Sequence, residues 1–305
     1  MDGLLLIDKP RGMTSHDVVA RVRRILRTRR VGHAGTLDPM ATGVLLVAVG
    51  RGTRLVEFLM EGSKTYRATI KLGESTDTLD ADGEIIERRP VPAFSEARVA
   101  NACRAFLGEI SQVPPMYSAI KKNGVPLYRL ARQGIEVERT ARVVHIERIV
   151  LHGMKLPFLD LEIDCAKGTY IRTLAQDLGT YLETGAHLTA LCRTRSGSFL
   201  LDECLALEQL SENALPGLFP GFLPMGEALR GFPVIEVDEK GCARLAQGIP
   251  PLRDQVADFS CVPGRLLTLV REGRLLAVAR FAPERLLEKR GDFELLRVFP
   301  EAAAA

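Results

Sequence analysis

Gly32-His33-Ala34-Gly35-Thr36-Leu37-Asp38-Pro39-Met40-Ala41-Thr42-Gly43 leads directly into the apolar run Val44-Leu45-Leu46-Val47-Ala48-Val49. The run predicts a buried strand. In the loop before it, the glycines permit tight backbone paths and Pro39 restricts Asp38 to an extended conformation. We therefore expect Asp38 on a stiff loop anchored to a core strand, where a reacting group is well held. An Asp before Pro is also a common turn residue, so the loop alone leaves both interpretations open.

The segment from His33 to Gly43 resembles the catalytic motif of the TruB-type pseudouridine synthases. Those enzymes convert a uridine in the T arm of transfer RNA to pseudouridine. Other stretches match the family in the same order, and together they cover most of residues 3–200, whereas the resemblance is much weaker towards the C-terminus. The matching stretches are residues 6–15, 64–68, 76–83, 114–121 and 168–172.

Periodicity predicts the elements around this loop. Residues 65–72 alternate between polar and apolar side chains, which predicts a strand with Tyr66 on its inward face. Strands interleaved with helices, without regular alternation, predict an α+β fold with a mixed, largely antiparallel sheet and flanking helices. The resemblance implies the pseudouridine synthase version of that fold. Further strands are predicted at residues 4–7, 44–49, 142–151, 158–165 and 199–200, a hairpin turn at 121–124, and helices capped by Thr14 or Ser15, by Ser95 (ending near Leu107) and by Thr169, with a short helix at 126–133.

Two domains are expected from the change of pattern along the chain. Residues 1–232 are predicted to form the catalytic domain, and residues 213–224, rich in Pro and Gly, to connect it to the next. Residues 233–300 combine a helix near 238–247 with short strands at 265–270 and 275–281. This part resembles a PUA-type RNA-binding module, a small β-barrel, and its alternative is a generic β-rich cap on the main sheet.

Composition excludes several classes of protein. No apolar run is long enough to span a membrane and the N-terminus lacks the form of a secretory signal, so a cytoplasmic location is expected. The six cysteines lie far apart without metal-ligand spacing, which argues against disulfides and a zinc site. The net charge is only +3, but residues 21–30 contain six arginines. That run is either a solvated helix face or a surface for RNA phosphates.

The resemblance assigns the reaction to three side chains. It implies that Asp38 is the nucleophile or base, although attack at C1′, attack at C6 and removal of a ribose proton all remain open. Arg172 would keep Asp38 ionised and oriented. Tyr66 would stack on the target base, and its phenol could assist removal of the C5 proton. The alternatives are a turn carboxylate, a surface arginine and a core aromatic.

The resemblance also implies roles in substrate binding, each with a structural alternative. His33 would fill the space left by a flipped nucleotide, Tyr170 would form a pocket wall, and Leu191 would line the uracil pocket. Asp80 would contact RNA. The remaining predictions concern lysines that contact phosphates or position the loop, namely Lys9, Lys64 and Lys121.

The resemblance implies isomerisation of uridine 55 in the T loop of transfer RNA by base flipping and Asp-dependent cleavage of the glycosidic bond. The reaction is redox-neutral and transfers no external group, so no cofactor and no metal are expected. The partner is the T stem-loop of transfer RNA, and a monomer without an obligatory protein partner is expected. The competing hypotheses are a synthase guided by an RNA–protein particle and an RNA-binding or RNA-folding protein without catalysis.

Overall fold

A computed structural model describes residues 1–210, 221–283 and 292–299 of the chain. Its helices are α1 (Ser15–Ile25), α2 (Val56–Leu59), α3 (Glu96–Arg104), α4 (Leu127–Ala131), α5 (Ile171–Tyr181) and α6 (Glu239–Ala246). Its strands are β1 (Gly3–Lys9), β2 (Val31–Ala34), β3 (Thr42–Val49), β4 (Lys64–Leu72), β5 (Glu74–Thr76), β6 (Ile85–Arg88), β7 (Gly108–Gln112), β8 (Lys121–Lys122), β9 (Val125–Pro126), β10 (Arg142–Lys155), β11 (Phe158–Cys165), β12 (Ala186–Ser196), β13 (Phe199–Leu200), β14 (Leu205–Ala206), β15 (Phe222–Pro224), β16 (Val234–Glu236), β17 (Leu266–Arg271), β18 (Arg274–Phe281) and β19 (Phe293–Val298).

One large sheet dominates the described residues. Its main path runs β14-β1-β3-β12-β4-β11-β10-β7, while β2, β13 and β15 pair at its margins. Within it, β1 with β14 and β3 with β12 are parallel pairs, and the other pairs are antiparallel. The predicted α+β class with a mixed, largely antiparallel sheet is therefore confirmed.

The path of β3 places the Asp38 loop. One edge of β3 pairs along its length with β1. Its other edge is shared, because residues 46–49 pair with β2 and residues 42–43 pair with β12. The loop between β2 and β3 therefore lies where β3 passes from β2 to the central strand β12, which is next to the Tyr66 end of β4.

The two faces of the sheet are covered differently. Helices α1, α3 and α5 pack on the face that carries the inward side chains of β4, including Ala68 and Ile70. On the other face, Leu4 and Leu46 pack with Leu275 and Val278 of β18. Burial of these apolar surfaces is the main force that holds the loop-bearing strands in place.

Several predicted boundaries differ from the structure. Thr14 caps α1 in a capping box with Asp17, as predicted, and Ser95 caps α3. However, α3 ends at Arg104, earlier than predicted. Thr169 is not the cap of α5, since its hydroxyl donates to Ala166 O and Tyr170 occupies the cap position.

The C-terminal residues form a second sheet in the order β16-β17-β18-β19, accompanied by α6. Part of its apolar surface joins the core on the outer face of the large sheet. The predicted connection at 213–224 lies mostly outside the described residues, but its last part is β15, which pairs with β1. Every helix in the described ranges is too short or too polar to traverse a lipid bilayer.

Gly43 offers a test of how tightly the loop is joined to the sheet. Its φ is +100°, and a Cβ there would lie 2.3 Å from the carbonyl oxygen of Arg193. Backbone strain and overpacking act together, so Gly43→Ala should lower the free energy of unfolding by more than about 3 kcal/mol.

Gly108→Ala is the matched control for Gly43→Ala. Gly108 has a φ of +84° but open space around its Cβ position. Only the left-handed backbone is penalised there, by about 1–2 kcal/mol. Denaturant melts of both variants measure the difference, and equal losses would contradict the close approach at Gly43.

Candidate active site

The Asp38 loop is fixed from several directions. Gly12 N donates to Pro39 O at 2.8 Å, and Ala41 N donates to Asp38 O at 3.1 Å. The hydroxyl of Ser15 accepts from Leu37 N at 2.9 Å. These bonds satisfy backbone groups on both sides of Asp38, so its carboxylate is presented from a rigid turn, as predicted from Pro39 and the glycines.

Arg172 meets Asp38 from helix α5. Its guanidinium is 4 % exposed, and its Nε lies 2.9 Å from Oδ2 of Asp38. The Nε–H group is not aligned on the carboxylate as a hydrogen bond, so this contact is primarily one of charges. Nη1 donates to Thr78 O at 3.1 Å, and Nη2 donates to Tyr117 O at 2.7 Å. The arginine is thus held in one orientation, and it is not the surface arginine of the structural alternative.

The start of α5 is fixed by a side chain from β7. Gln112 Oε1 accepts from Tyr170 N at 3.0 Å, and Gln112 Nε2 donates to Tyr170 O at 3.3 Å. Gln112 therefore fixes the backbone of Tyr170, the residue at the N-terminal cap position of α5. The pair sets the direction from which Tyr170 and Arg172 enter the site.

Asp38, Tyr66 and Arg172 share one cavity of about 260 Å³. Tyr66 reaches it from the buried face of β4, and Leu191 reaches it from β12, with side chains 9 % and 7 % exposed. The cavity thus offers a carboxylate, a phenol and a guanidinium around one apolar space, which is the size class and chemistry of a small polar ligand. The other residues on its wall include Lys64, Ser118, Ala119, Lys167, Thr169, Tyr170 and Arg193.

Burial shifts the pKa of two groups on the cavity wall, Asp38 and Tyr66. It raises the pKa of Asp38, the positive charge of Arg172 opposes that rise, and the nearby Asp80 carboxylate adds to it. The Asp38 side chain nevertheless remains about a third exposed to solvent. Burial also raises the pKa of the Tyr66 phenol, against the charge of Arg193. Both groups are therefore poised by their surroundings, which is a common property of reactive sites.

Two predicted binding lysines lie inside the protein. Lys9 is fully buried, and its Nζ donates to Pro10 O, Met13 O and Pro39 O at 2.8, 2.6 and 3.3 Å. Lys64 is 6 % exposed and donates to Met60 O and Gly62 O. Burial lowers the pKa of each to about 8. The bond from Lys9 to Pro39 O ties it to the Asp38 loop, which favours the loop-positioning alternative, and the phosphate contact stays a prediction.

Asp80 is also buried. Its side chain is 7 % exposed, with Oδ2 3.4 Å from Nη1 of Arg172, and Oδ1 accepts from the Thr78 hydroxyl at 2.6 Å. Both oxygens of this carboxylate contact protein groups, and an RNA contact through Asp80 stays a prediction. Asp80 gives Arg172 a second carboxylate partner.

The remaining predicted residues lie at different distances from the cavity. Tyr170 and Leu191 are on its wall. His33 lies on β2 with its ring edge-on to His16, centroids 5.2 Å apart. Lys121 is exposed on the β8–β9 hairpin and lines a different depression, so the cavity does not include it.

Arg193 is on the cavity wall but was not predicted from the sequence. It is 1 % exposed and donates to the Val44 carbonyl at 2.8 Å. Its neighbours in sequence give no sign of burial, since Arg195 follows two residues later on the same strand. Only the pairing of β12 with both β3 and β4 brings it behind the Asp38 loop. In the part of the chain that is described, no group of three or more potential ligands is arranged for a metal ion.

Comparisons with known proteins agree on one family. A model of the TruB family pseudouridylate synthase N-terminal domain matches residues 23–171, and a model of the tRNA pseudouridylate synthase B C-terminal domain matches residues 172–229. The tRNA pseudouridine synthase B of Syntrophotalea carbinolica is 47 % identical over 100 % of both chains. That of Geobacter sulfurreducens is 44 % identical, covering 98 % of this chain and all of its own. A chain in a solved Cbf5–Nop10–Gar1 complex aligns with a TM-score of 0.76 and 26 % identity, over 98 % of this chain and 85 % of that one.

His33 provides a pH test of the site. Burial lowers its pKa from 6.5 to about 4, and His16 and Arg193 add to the effect. The unfolded chain therefore binds a proton between these values that the folded protein does not. The stability that neutral His33 contributes is complete above pH 6.5 and is lost as the pH falls towards 4.

The His33→Gln variant has no titrating group at this position, so it is the reference against which the pH dependence of wild-type stability is compared. Urea unfolding at several pH values should show the wild-type protein losing stability relative to the variant between pH 6.5 and 4. Parallel curves for the two proteins over this range would contradict the buried, neutral imidazole.

Proposed function

The chain belongs to the TruB family of pseudouridylate synthases, and on this premise we propose that it isomerises uridine to pseudouridine in transfer RNA, at position 55 of the T loop. The observation that carries the proposal is the contact between the Asp38 carboxylate and the buried Arg172 guanidinium, 2.9 Å apart on the cavity that Tyr66 also lines. A ligand in this space would touch all three groups. A base must leave its stack to enter such a cavity.

Asp38 supplies the anion that the reaction needs. Isomerisation breaks the bond between C1′ and N1, turns the uracil, and joins C1′ to C5, so no atom is gained or lost overall. Arg172 holds the carboxylate in place and favours its charged form against the effect of burial. Asp80 is a second carboxylate partner of Arg172. Because the guanidinium is shared between two carboxylates, it orients Asp38 but attracts it less strongly than if Asp38 were its sole partner.

Tyr66 has two functions in this proposal. Its ring stacks on the uracil, a contact worth about 1–3 kcal/mol per base. Its side chain lines the same cavity, and in this proposal its hydroxyl oxygen takes up the C5 proton once C1′ has bonded to C5. The strand register supports this position, because Tyr66 lies opposite Arg193 of β12.

RNA binding is supported by charge outside the cavity. Arg23, Arg24, Arg29 and Arg30 are exposed on and after α1, which leads into the Asp38 loop. Phosphate contacts there would help to offset the few kcal/mol needed to flip a nucleotide. His33 lies on β2 between these arginines and Asp38, where it could take the place of the flipped base. The C-terminal sheet is proposed as the second RNA-binding surface, in the manner of a PUA module.

The relatives help to choose between the stand-alone and guided forms of synthase. The Cbf5 complex contains further proteins, but its chain is 26 % identical to this one. The tRNA pseudouridine synthase B of Syntrophotalea carbinolica is 47 % identical from end to end. We therefore propose transfer RNA itself as the substrate, a monomer without an obligatory protein partner, and a cytoplasmic location, where transfer RNA matures in bacteria.

Asp38→Asn tests the catalytic role directly. The variant keeps the size and shape of the side chain but removes its charge, so turnover should fall by at least about 10⁴-fold while RNA binding changes little. Release of tritium from C5-labelled uridine in T-arm RNA measures turnover, and filter binding measures affinity. Asp160→Asn, on β11 and outside the cavity, is the matched control. Normal turnover by the Asp38 variant would refute the assignment.

Tyr66→Phe separates stacking from proton transfer. The ring is retained, so RNA affinity should stay within about threefold of wild type, whereas the rate should fall by about 10²–10⁴-fold because the hydroxyl is lost. Single-turnover rates and binding curves on the same RNA give both values. A variant that loses affinity but retains its rate would show that the phenol serves binding alone.

A further inference from the structure

Arg193 is a buried cation without a carboxylate partner. Its side chain is 1 % exposed, and among residues 1–210, 221–283 and 292–299 no carboxylate forms an ion pair with it. Arg172, in contrast, has Asp38 and Asp80, and Arg195 has Asp164 at 3.5 Å. Buried charges in proteins are usually paired. An unpaired guanidinium on the wall of the cavity therefore calls for a functional explanation.

Backbone carbonyls hold this guanidinium in one position. Nε donates to Val44 O at 2.8 Å, Nη2 donates to Gly35 O at 3.0 Å, and Nη1 approaches Thr36 O at 3.4 Å. These acceptors are neutral, so they fix the group without cancelling its charge. The Asp38 loop has other attachments through Gly12, Ser15 and Lys9, so it does not depend on Arg193 alone.

The charge of Arg193 faces Tyr66. The two residues are opposite each other in the pairing of β12 with β4, and both side chains line the cavity. Burial raises the pKa of the Tyr66 phenol, Cys165 from β11 and Asp38 from the loop add to that rise, and Arg193 from β12 opposes it. Arg193 is thus the cation placed to stabilise negative charge on the Tyr66 oxygen.

We propose that Arg193 is a positioning residue for the isomerisation, which holds the Tyr66 oxygen and stabilises its anionic form as it accepts the C5 proton. This inference rests on the proposed function. In the step, the Tyr66 phenolate takes the C5 proton, the electron pair of the C5–H bond restores the C5–C6 double bond of the uracil, and N1, which left C1′ with its electron pair, takes up a proton from solvent. Tyr66 then returns its proton to solvent, so nothing is oxidised or reduced.

The neutral variants Arg193→Met and Arg193→Gln test this role against the conservative variant Arg193→Lys. The neutral variants should slow single-turnover conversion of T-arm RNA by about 10²-fold near neutral pH. Their rate should recover as the pH rises, because a higher pH replaces the lost cation in favouring the phenolate. Arg193→Lys keeps the positive charge. It should retain the wild-type pH profile, with a single-turnover rate within about tenfold of the wild-type rate.

Two further measurements distinguish this role from a structural one. Uridine deuterated at C5 should show an isotope effect in the neutral variants that exceeds that of wild type, because proton removal has become slow. In a Tyr66→Phe background, Arg193→Gln should lower the single-turnover rate by less than about a further threefold, since the hydroxyl that Arg193 serves is absent. Arg195→Gln, on the same strand but outside the cavity, is the control and should leave the rate near wild type.

The outcomes separate the proposals. An unmoved pH profile, an unchanged isotope effect, or the same loss with and without the Tyr66 hydroxyl would overturn the role of Arg193. If Arg193→Met fails to fold, as judged by circular dichroism, Arg193→Gln provides the same comparison with an amide that can still bond the loop carbonyls. Wild-type protein that makes no pseudouridine would instead refute the proposed function, whatever the Arg193 variants do.

Discussion

The buried contact between Arg172 and Asp38 is the constraint on which the rest of the site depends. A guanidinium in the interior is stable only if its partners are in place, and removing one partner of such a pair typically costs about 3–5 kcal/mol. Here the partners come from three separate parts of the chain, namely the Asp38 loop, the turn that carries both Thr78 and Asp80, and the Tyr117 carbonyl. The large sheet, α5 and the loops over it must therefore assemble before the carboxylate is correctly held.

The site contains more buried cations than carboxylates. Lys9, Lys64 and Arg193 are held mainly by backbone carbonyls, while Asp38 and Asp80 both face Arg172. Carbonyls satisfy the hydrogen bonds of these groups without neutralising their charge, and the carboxylates of Asp38, Asp17 and Asp8 compensate part of it at Lys9. The surroundings of the cavity are consequently positive, which suits a nucleotide with its phosphates and any negative charge that develops during the reaction.

The sequence predicts those elements that are determined by residues close together in the chain. The capping of α1 by Thr14, the alternation of β4 and the Asp38 loop all depend on near neighbours, and each could be inferred from them. Strand β12 was missed because its register is shifted twice and it carries Thr and Arg side chains, which obscures its alternation. Arg193 was missed for a different reason: the carbonyls that bury it lie about 150 residues earlier in the chain. Lys9 and Asp80 were identified as important, but only the folded chain shows that both face inward.

The most direct test of the account is a structure of the Asp38→Asn variant bound to T-arm RNA with an unmodified uridine 55. We expect that uridine outside the RNA stack, with its uracil against the Tyr66 ring and its ribose beside residue 38 and Arg172, within the cavity of about 260 Å³. A target uridine that remains stacked in the T loop, or that binds on another surface while the cavity is empty, would contradict the central claim that these three side chains act on one everted nucleotide.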